Sequence, residues 1–138
     1  MAKVLVLKTT LRDAMLDEII TAAGTSCKIE IYAGTHDTTE TPSGTLLVTQ
    51  TGNASQFGTS ASGTLTISAV SAGTVQAPGG TAGFFVIKTS ADAFVASGNI
   101  TTIAANDGVM LLDDTSLVTG GTVSLNGTNQ LVMPHAST

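Results

Sequence analysis

The sequence has no tryptophan, a single tyrosine (Tyr32), a single cysteine (Cys27) and a single arginine (Arg12). From Thr41 to Ile87 it has no Asp, Glu, Lys, Arg or His at all. Each shortage removes a class of function. One cysteine cannot form an internal disulfide, and the paired spacing of a cysteine zinc site is missing. Five Lys and Arg against ten Asp and Glu give a net charge of −5. Without a basic cluster to neutralise phosphates, nucleic-acid binding is not expected. The apolar stretch Val4–Leu7 is too short for a signal-peptide core, and no run approaches the ~20 apolar residues of a membrane helix. No membrane partner is expected, and synthesis in a cytoplasm fits. The uncharged span offers Ser, Thr, Asn and Gln but no general base, carboxylate pair or usual metal ligand. A sheet surface built from such residues lacks the charges that keep sheet proteins apart, so it is expected to be covered, paired or mated to another subunit.

What remains is a chain of 138 residues, a length that suits one domain with a substantial core. Small and β-branched residues dominate, and the core should be aliphatic. Residues 1–8 read as an arm or edge strand. A helix is expected at about 10–23, with Thr10 as N-cap, Asp13 near the positive end of the dipole and Gly24 as the stop. Leu11, Met15, Ile19 and Ala22, flanked by Leu16, Ile20 and Ala23, form its apolar stripe, and Arg12, Asp13, Asp17 and Glu18 its wet side. The stripe should pack on a sheet; the rival reading has it grip a partner subunit.

From Ser26 onward the pattern is strands and turns. Strands are expected at Lys28–Tyr32, Thr45–Thr51, Gly63–Ser71, Gly83–Thr89, Phe94–Ala96, Ile100–Ala104, Val109–Leu112, Thr122–Leu125 and Gln130–Met133. Asp107-Gly108 and Asn126-Gly127 supply hairpin-type dipeptides. Gly-Thr pairs recur, as at Gly44, Gly63, Gly73, Gly80 and Gly121, where glycine relaxes a turn and threonine begins a β-branched run. Many short strands with one leading helix predict a mainly β fold: a β-sandwich of jelly-roll or Greek-key kind, one domain over 9–138. Loops 33–44 and 72–81 are its longest and the natural contact elements.

Candidate chemistry is thin. His36-Asp37 with Glu40 is the best ionic cluster, but a metal would need more ligands and His135 would have to fold back to help. Asp113-Asp114 with Asp107 does not fit a calcium loop and reads as exposed acids at a strand end. Cys27 alternates with Ile29 and Ile31, an inward strand position for a small buried hydrophobe. No serine sits in a nucleophile elbow, and phosphate-cradling loops are missing. No catalytic, cofactor-binding or metal residue is therefore assigned, and an enzyme is not expected. A sugar-binding sandwich would have to rely on Tyr32 as its stacking platform.

The order of segments resembles a group of small tailed-bacteriophage virion proteins. The resemblance is carried by Leu11-Arg12-Asp13-Ala14-Met15-Leu16-Asp17-Glu18-Ile19-Ile20-Thr21 closed by Gly24-Thr25-Ser26, and by Lys28-Ile29-Glu30-Ile31-Tyr32-Ala33-Gly34-Thr35. Gly44-Thr45-Leu46-Leu47, Ser62-Gly63-Thr64-Leu65-Thr66, Gly80-Thr81-Ala82-Gly83-Phe84-Phe85-Val86-Ile87 and Gly120-Gly121-Thr122-Val123-Ser124-Leu125 continue it. The chain departs from the pattern at residues 92–98, where a more acidic hairpin is typical. The resemblance implies a virion structural protein without enzymatic activity, foremost a capsid decoration or cement protein. Its implied partners are the major capsid protein or other virion subunits, with homo-oligomers expected. A neck or tail component and a carbohydrate-binding module are the alternatives.

Overall fold

The computed structural model describes residues 5–36, 39–41, 43–52, 57, 60–67, 71–105, 108–123 and 130–132. It is mainly β with, among the described residues, a single helix near the N-terminus, as the pattern predicts. Helix α1 (Thr9–Ala23) leads into β1 (Lys28–Ala33) and β2 (Thr45–Thr51). Then come β3 (Thr64–Thr66), β4 (Gly73–Thr74), β5 (Gly80–Lys88) and β6 (Phe94–Thr102). The chain continues through β7 (Met110–Leu112), β8 (Ser116–Leu117), β9 (Thr122–Val123) and β10 (Gln130–Val132).

The main sheet runs β2-β1-β5-β6-β7, with β8 paired to the start of β5. β1 and β5 alternate over residues 29–32 and 84–88, beyond which the register shifts at a bulge, so each strand has two destinations. Ile29, Ile31, Phe85 and Ile87 point to the inner face, where they share one apolar core with Leu16 and Ala23 of α1, Leu65 of β3, and Val75 and Val123. Glu30, Tyr32, Phe84, Val86 and Lys88 point to the outer face, where Tyr32, Phe84 and Val86 make a second, smaller cluster with Leu46 and Phe94. β3 pairs with β10 and β4 with β9 as two-stranded ribbons outside the main sheet. Gly44, Gly63, Gly73, Gly80 and Gly121 each stand at the first residue of a strand or just before it, the place their Gly-Thr pairs suggest.

Several details differ from the expectation. The helix begins at Thr9 after Lys8, whose side chain makes no capping bond, so Thr10 is not the cap. Gly24, at φ 76°, does end it, a left-handed turn that glycine adopts without strain. Phe94–Ala96 and Ile100–Thr102 belong to one strand, which ends before Ile103 and Ala104: Ser97-Gly98-Asn99 reads as a break, yet Gly98 runs straight under the Phe85 ring, where a Cβ would come within 2.9 Å of it. The tight hairpin expected at Asp107-Gly108 is not there, because the flanking β6 and β7 are parallel. Thr101 Oγ1 accepts the Gly108 N–H at 2.9 Å and Asn99 Oδ1 the Val109 N–H at 3.1 Å. These bonds draw the return loop back along β6. Asp107 itself, Asn126-Gly127 and the ends of the strands predicted through Leu125 and Met133 lie outside the described residues; of the strand predicted over Gly63–Ser71, Thr64–Thr66 forms β3, residues 68–70 lie outside and Ser71 is in no strand. The two-residue strand β8 had no sequence signal, and β4 had only its Gly73-Thr74 pair.

The uncharged span is divided: its large apolar side chains are inside the molecule, while about as many of its described residues are exposed as are buried. Leu47, Val48, Gln50, Leu65, Ile67, Val75, Ala82 and Phe84 to Ile87 are all buried. At these positions the missing charge is explained by intramolecular burial, since an unpaired charge there would be costly. Exposed, uncharged residues remain at Thr45, Thr51, Ser71, Thr74, Gln76 and Thr81.

Candidate interaction surface

The ionic side chains that the chain does possess are mostly spent on holding the fold. On the outer face, Glu30 is 6 % exposed and accepts from Lys88 Nζ at 3.1 Å and from the Tyr32 hydroxyl. Burial, reinforced by that bond and by the carboxylate's charge, pushes the Tyr32 hydroxyl well above its usual pKa. Tyr32 stacks flat on Phe84, ring centroids 5.1 Å apart. Beside this network Lys28 Nζ donates to Asp92 Oδ1 at 2.8 Å, and this bond, then the ammonium's charge, holds Asp92 below its ordinary pKa. Asp92 is itself left-handed at φ 65°, and its N–H closes the β5–β6 turn on Thr89. The carboxylate here is already satisfied and its neighbour is a protonated phenol, so the cluster works as a lock on the sheet and not as an acid–base pair.

Only part of the candidate ionic cluster lies within the described residues. His36 leans over Phe84 and sits 2.9 Å from Ser97 Oγ, pinning the loop after β1 to the outer face. Glu40 is exposed, and Asp37 and His135 lie outside the described residues. Among the described residues no three His, Cys, Asp or Glu side chains gather as a metal site. Asp113 and Asp114 are exposed at the end of β7, as expected of strand-end acids. Cys27 is fully buried among Ile29 and Ile31, and burial raises its pKa to about 11, so its thiol is an inert core group. Tyr32 is only 8 % exposed with one ring face on Phe84, which leaves no open platform for a sugar ring.

The helix is turned by about one residue from its predicted setting. Arg12, assigned to the wet side, is 8 % exposed and donates to Thr9 Oγ1 at 3.1 Å. Asp13 Oδ1 accepts the Gly63 N–H at 2.6 Å, and Ser60 Oγ donates to Asp17 Oδ1 at 2.6 Å. This polar docking to the 60–63 turn makes Arg12, Leu16 and Ala23 the buried line. The other edge of the broad apolar stripe is left outside: Leu11 is 48 % and Met15 40 % exposed. Just before the helix, Leu5 and Val6 are 72 % and 73 % exposed and belong to no strand. Between residues 5 and 15 the chain thus presents four large apolar side chains to solvent. The stripe expected to pack on the sheet is thus buried at Leu16 and Ala23 but not at Leu11 and Met15. The signal that would have corrected it is the Arg12-Asp13 pair, whose complement at Ser60–Gly63 is distant in sequence.

No protein-family model matches this chain, and no curated protein or solved structure is significantly similar to it. No helix among the described residues is long and apolar enough to cross a membrane.

Proposed function

We propose that this chain is a bacteriophage virion structural protein that works by adhesion, foremost as a decoration or cement protein on the capsid lattice. The observation that carries the adhesive part is the apolar surface of Leu5, Val6, Leu11 and Met15, which has no covering within the described chain. The virion part rests on the resemblance in segment order, from the 11–21 helix to the Gly120-Gly121-Thr122 turn. In this reading the ribbons β3/β10 and β4/β9 act with α1 as the second layer of a sandwich. The arm of residues 1–8 adds to a neighbouring subunit, and copies act together so that weak contacts sum through effective concentration. The partner is the major capsid protein or another virion subunit, the protein forms homo-oligomers on that lattice, and no reaction is catalysed.

Full burial of a large aliphatic side chain contributes about 1.5–3 kcal/mol, so removing Leu5 and Val6 should weaken attachment by about a hundredfold or more. A chain lacking residues 1–8, incubated with purified capsids, should show this loss of occupancy, and undiminished occupancy would reject the arm's role. Imaging particles that carry a labelled copy separates the decoration reading from a neck or tail position. Label over the whole head supports decoration; label at one vertex or along the tail replaces it.

A further inference from the structure

We propose that the cleft between the end of β7, β8 and β9 receives an arginine or lysine side chain from a protein partner. The inference rests on the adhesive reading in that the side chain belongs to a neighbouring subunit, and it names the chemistry of a second contact. The cleft has a volume of about 310 Å³, near the lower end of ligand pockets, enough for one long side chain and not for a large cofactor. Val75, Leu112 and Val123, all nearly buried, form its apolar floor. Asp113, Asp114 and the highly exposed Val118 form its rim.

Two independent features choose the occupant. The first is charge balance. Lys28 is paired with Asp92 and Lys88 with Glu30, Arg12 is buried against the 60–63 turn, and Lys8, just before α1, makes no ion pair with this rim. Neither Asp113 nor Asp114 takes part in an ion pair among the described residues. With a net charge of −5 the chain is short of cations of its own, so the positive charge that complements this rim comes from outside. The second feature is the mixed lining. A hard divalent cation seeks six to eight oxygens, and a floor of valine and leucine does not supply them. Arginine and lysine instead carry an aliphatic stem that lies along apolar walls and a charged head that stays at the wet edge. Guanidinium in addition matches a carboxylate with two parallel bonds. The Asp114 carboxylate is held in place beforehand, because its Oδ1 accepts the Ser116 N–H at 2.8 Å. Less ordering is then lost on binding.

The test uses the isotope-labelled full chain titrated with N-acetyl-Gly-Arg-Gly-amide and, as control, its citrulline counterpart of similar shape and no charge. Saturable amide shifts confined to Ser116, Leu117, Val118 and Thr122, weakening as salt is added, are expected with the arginine peptide. Binding should be about tenfold weaker with citrulline, and about tenfold weaker again for arginine binding to the Asp113→Asn/Asp114→Asn chain. Should that double variant lose its fold, Val118→Lys, at an exposed position, places a competing ammonium at the rim and should cause the same loss. Equal response to citrulline, shifts spread equally over Asp17 and Glu18, or saturation of the same amides by calcium chloride at lower concentration than peptide would each overturn the proposal. Capsid binding separates the two readings. A Val118→Lys chain that occupies capsids as fully as the parent removes the cleft and leaves adhesion standing. A parent chain that takes the peptide but never binds capsids removes the capsid partner and leaves the cleft.

Discussion

Replacing Lys88 by methionine tests whether the outer-face network holds the sheet. The substitution keeps most of the aliphatic stem but removes the ammonium 3.1 Å from Glu30 Oε1. It strands a carboxylate whose side chain is 8 % exposed, with the Tyr32 hydroxyl as its remaining described partner. Removing one member of a fully buried ion pair costs about 3–5 kcal/mol. The Lys88 side chain retains 21 % exposure, so water screens part of the interaction and the expected loss falls to about 2–3 kcal/mol. With a urea slope of about 1–3 kcal/mol per molar for a small domain, the unfolding midpoint should drop by about 1–2 M. The partner substitution supplies the control. In Glu30→Gln/Lys88→Met the amide carbonyl still accepts from Tyr32 and no charge is left in the site, so stability should return to within about 1 kcal/mol of the parent. Urea unfolding followed by circular dichroism reads all three chains. If the single variant loses less than the double, or the double recovers nothing, the network is not an ion-paired lock and the reasoning fails.

Three further outcomes follow from the same geometry. Gly63 sits at φ 76° and a Cβ there would collide with the Arg12 guanidinium, so Gly63→Ala should cost roughly 1–3 kcal/mol in thermal or urea unfolding; a neutral result would mean the helix is not docked through the 60–63 turn. Leu16→Ala, at the centre of the helix–sheet contact, should cost about 2–5 kcal/mol, whereas Met15→Ala should change stability by less than about 1 kcal/mol. Cys27 keeps its proton when folded up to about pH 11, against an ordinary value of 9.0. Its contribution is thus complete below about pH 9 and is lost as pH rises toward 11, and a Cys27→Ala chain should show a flatter decline across that window. The native thiol should also stay unreactive to an aromatic disulfide reagent until urea unfolds the chain.

Local pattern made much of this architecture legible, and it failed where contacts from afar decide. β2 runs from Thr45 to Thr51 as its β-branched run suggests, and β1 shows its alternation directly, with Ile29 and Ile31 inward and Glu30 and Tyr32 outward. Gly24 ends the helix because its backbone conformation is a local property. The rotation of that helix is not local: Asp13 and Arg12 answer to Gly63, some fifty residues on, and only the folded chain shows why Leu11 and Met15 are left outside. Gly98 reads as a break because glycine usually is one, but here it makes room for a phenylalanine ring on the adjacent strand. β4 and β8 are two residues each, too short for any period to show. The cleft is assembled from Val75, Asp113, Val118 and Val123, whose proximity no spacing reveals. The uncharged span reads two ways at once: its aliphatic and aromatic side chains, such as Leu47, Leu65 and Phe85, belong to the chain's own core, and its Ser, Thr and Gly positions lie mostly at the surface.

The central claim is that residues 5–15 present an adhesive surface to a virion shell. The most direct measurement is the occupancy of purified capsids by a Leu5→Asp/Val6→Asp/Leu11→Glu chain whose unfolding midpoint matches the parent. The account predicts that the parent chain saturates the shell at a copy number comparable with that of the shell subunit, and that the charged variant is lost by about a hundredfold or more in affinity. Equal occupancy by both chains, or no binding by the parent, would contradict it.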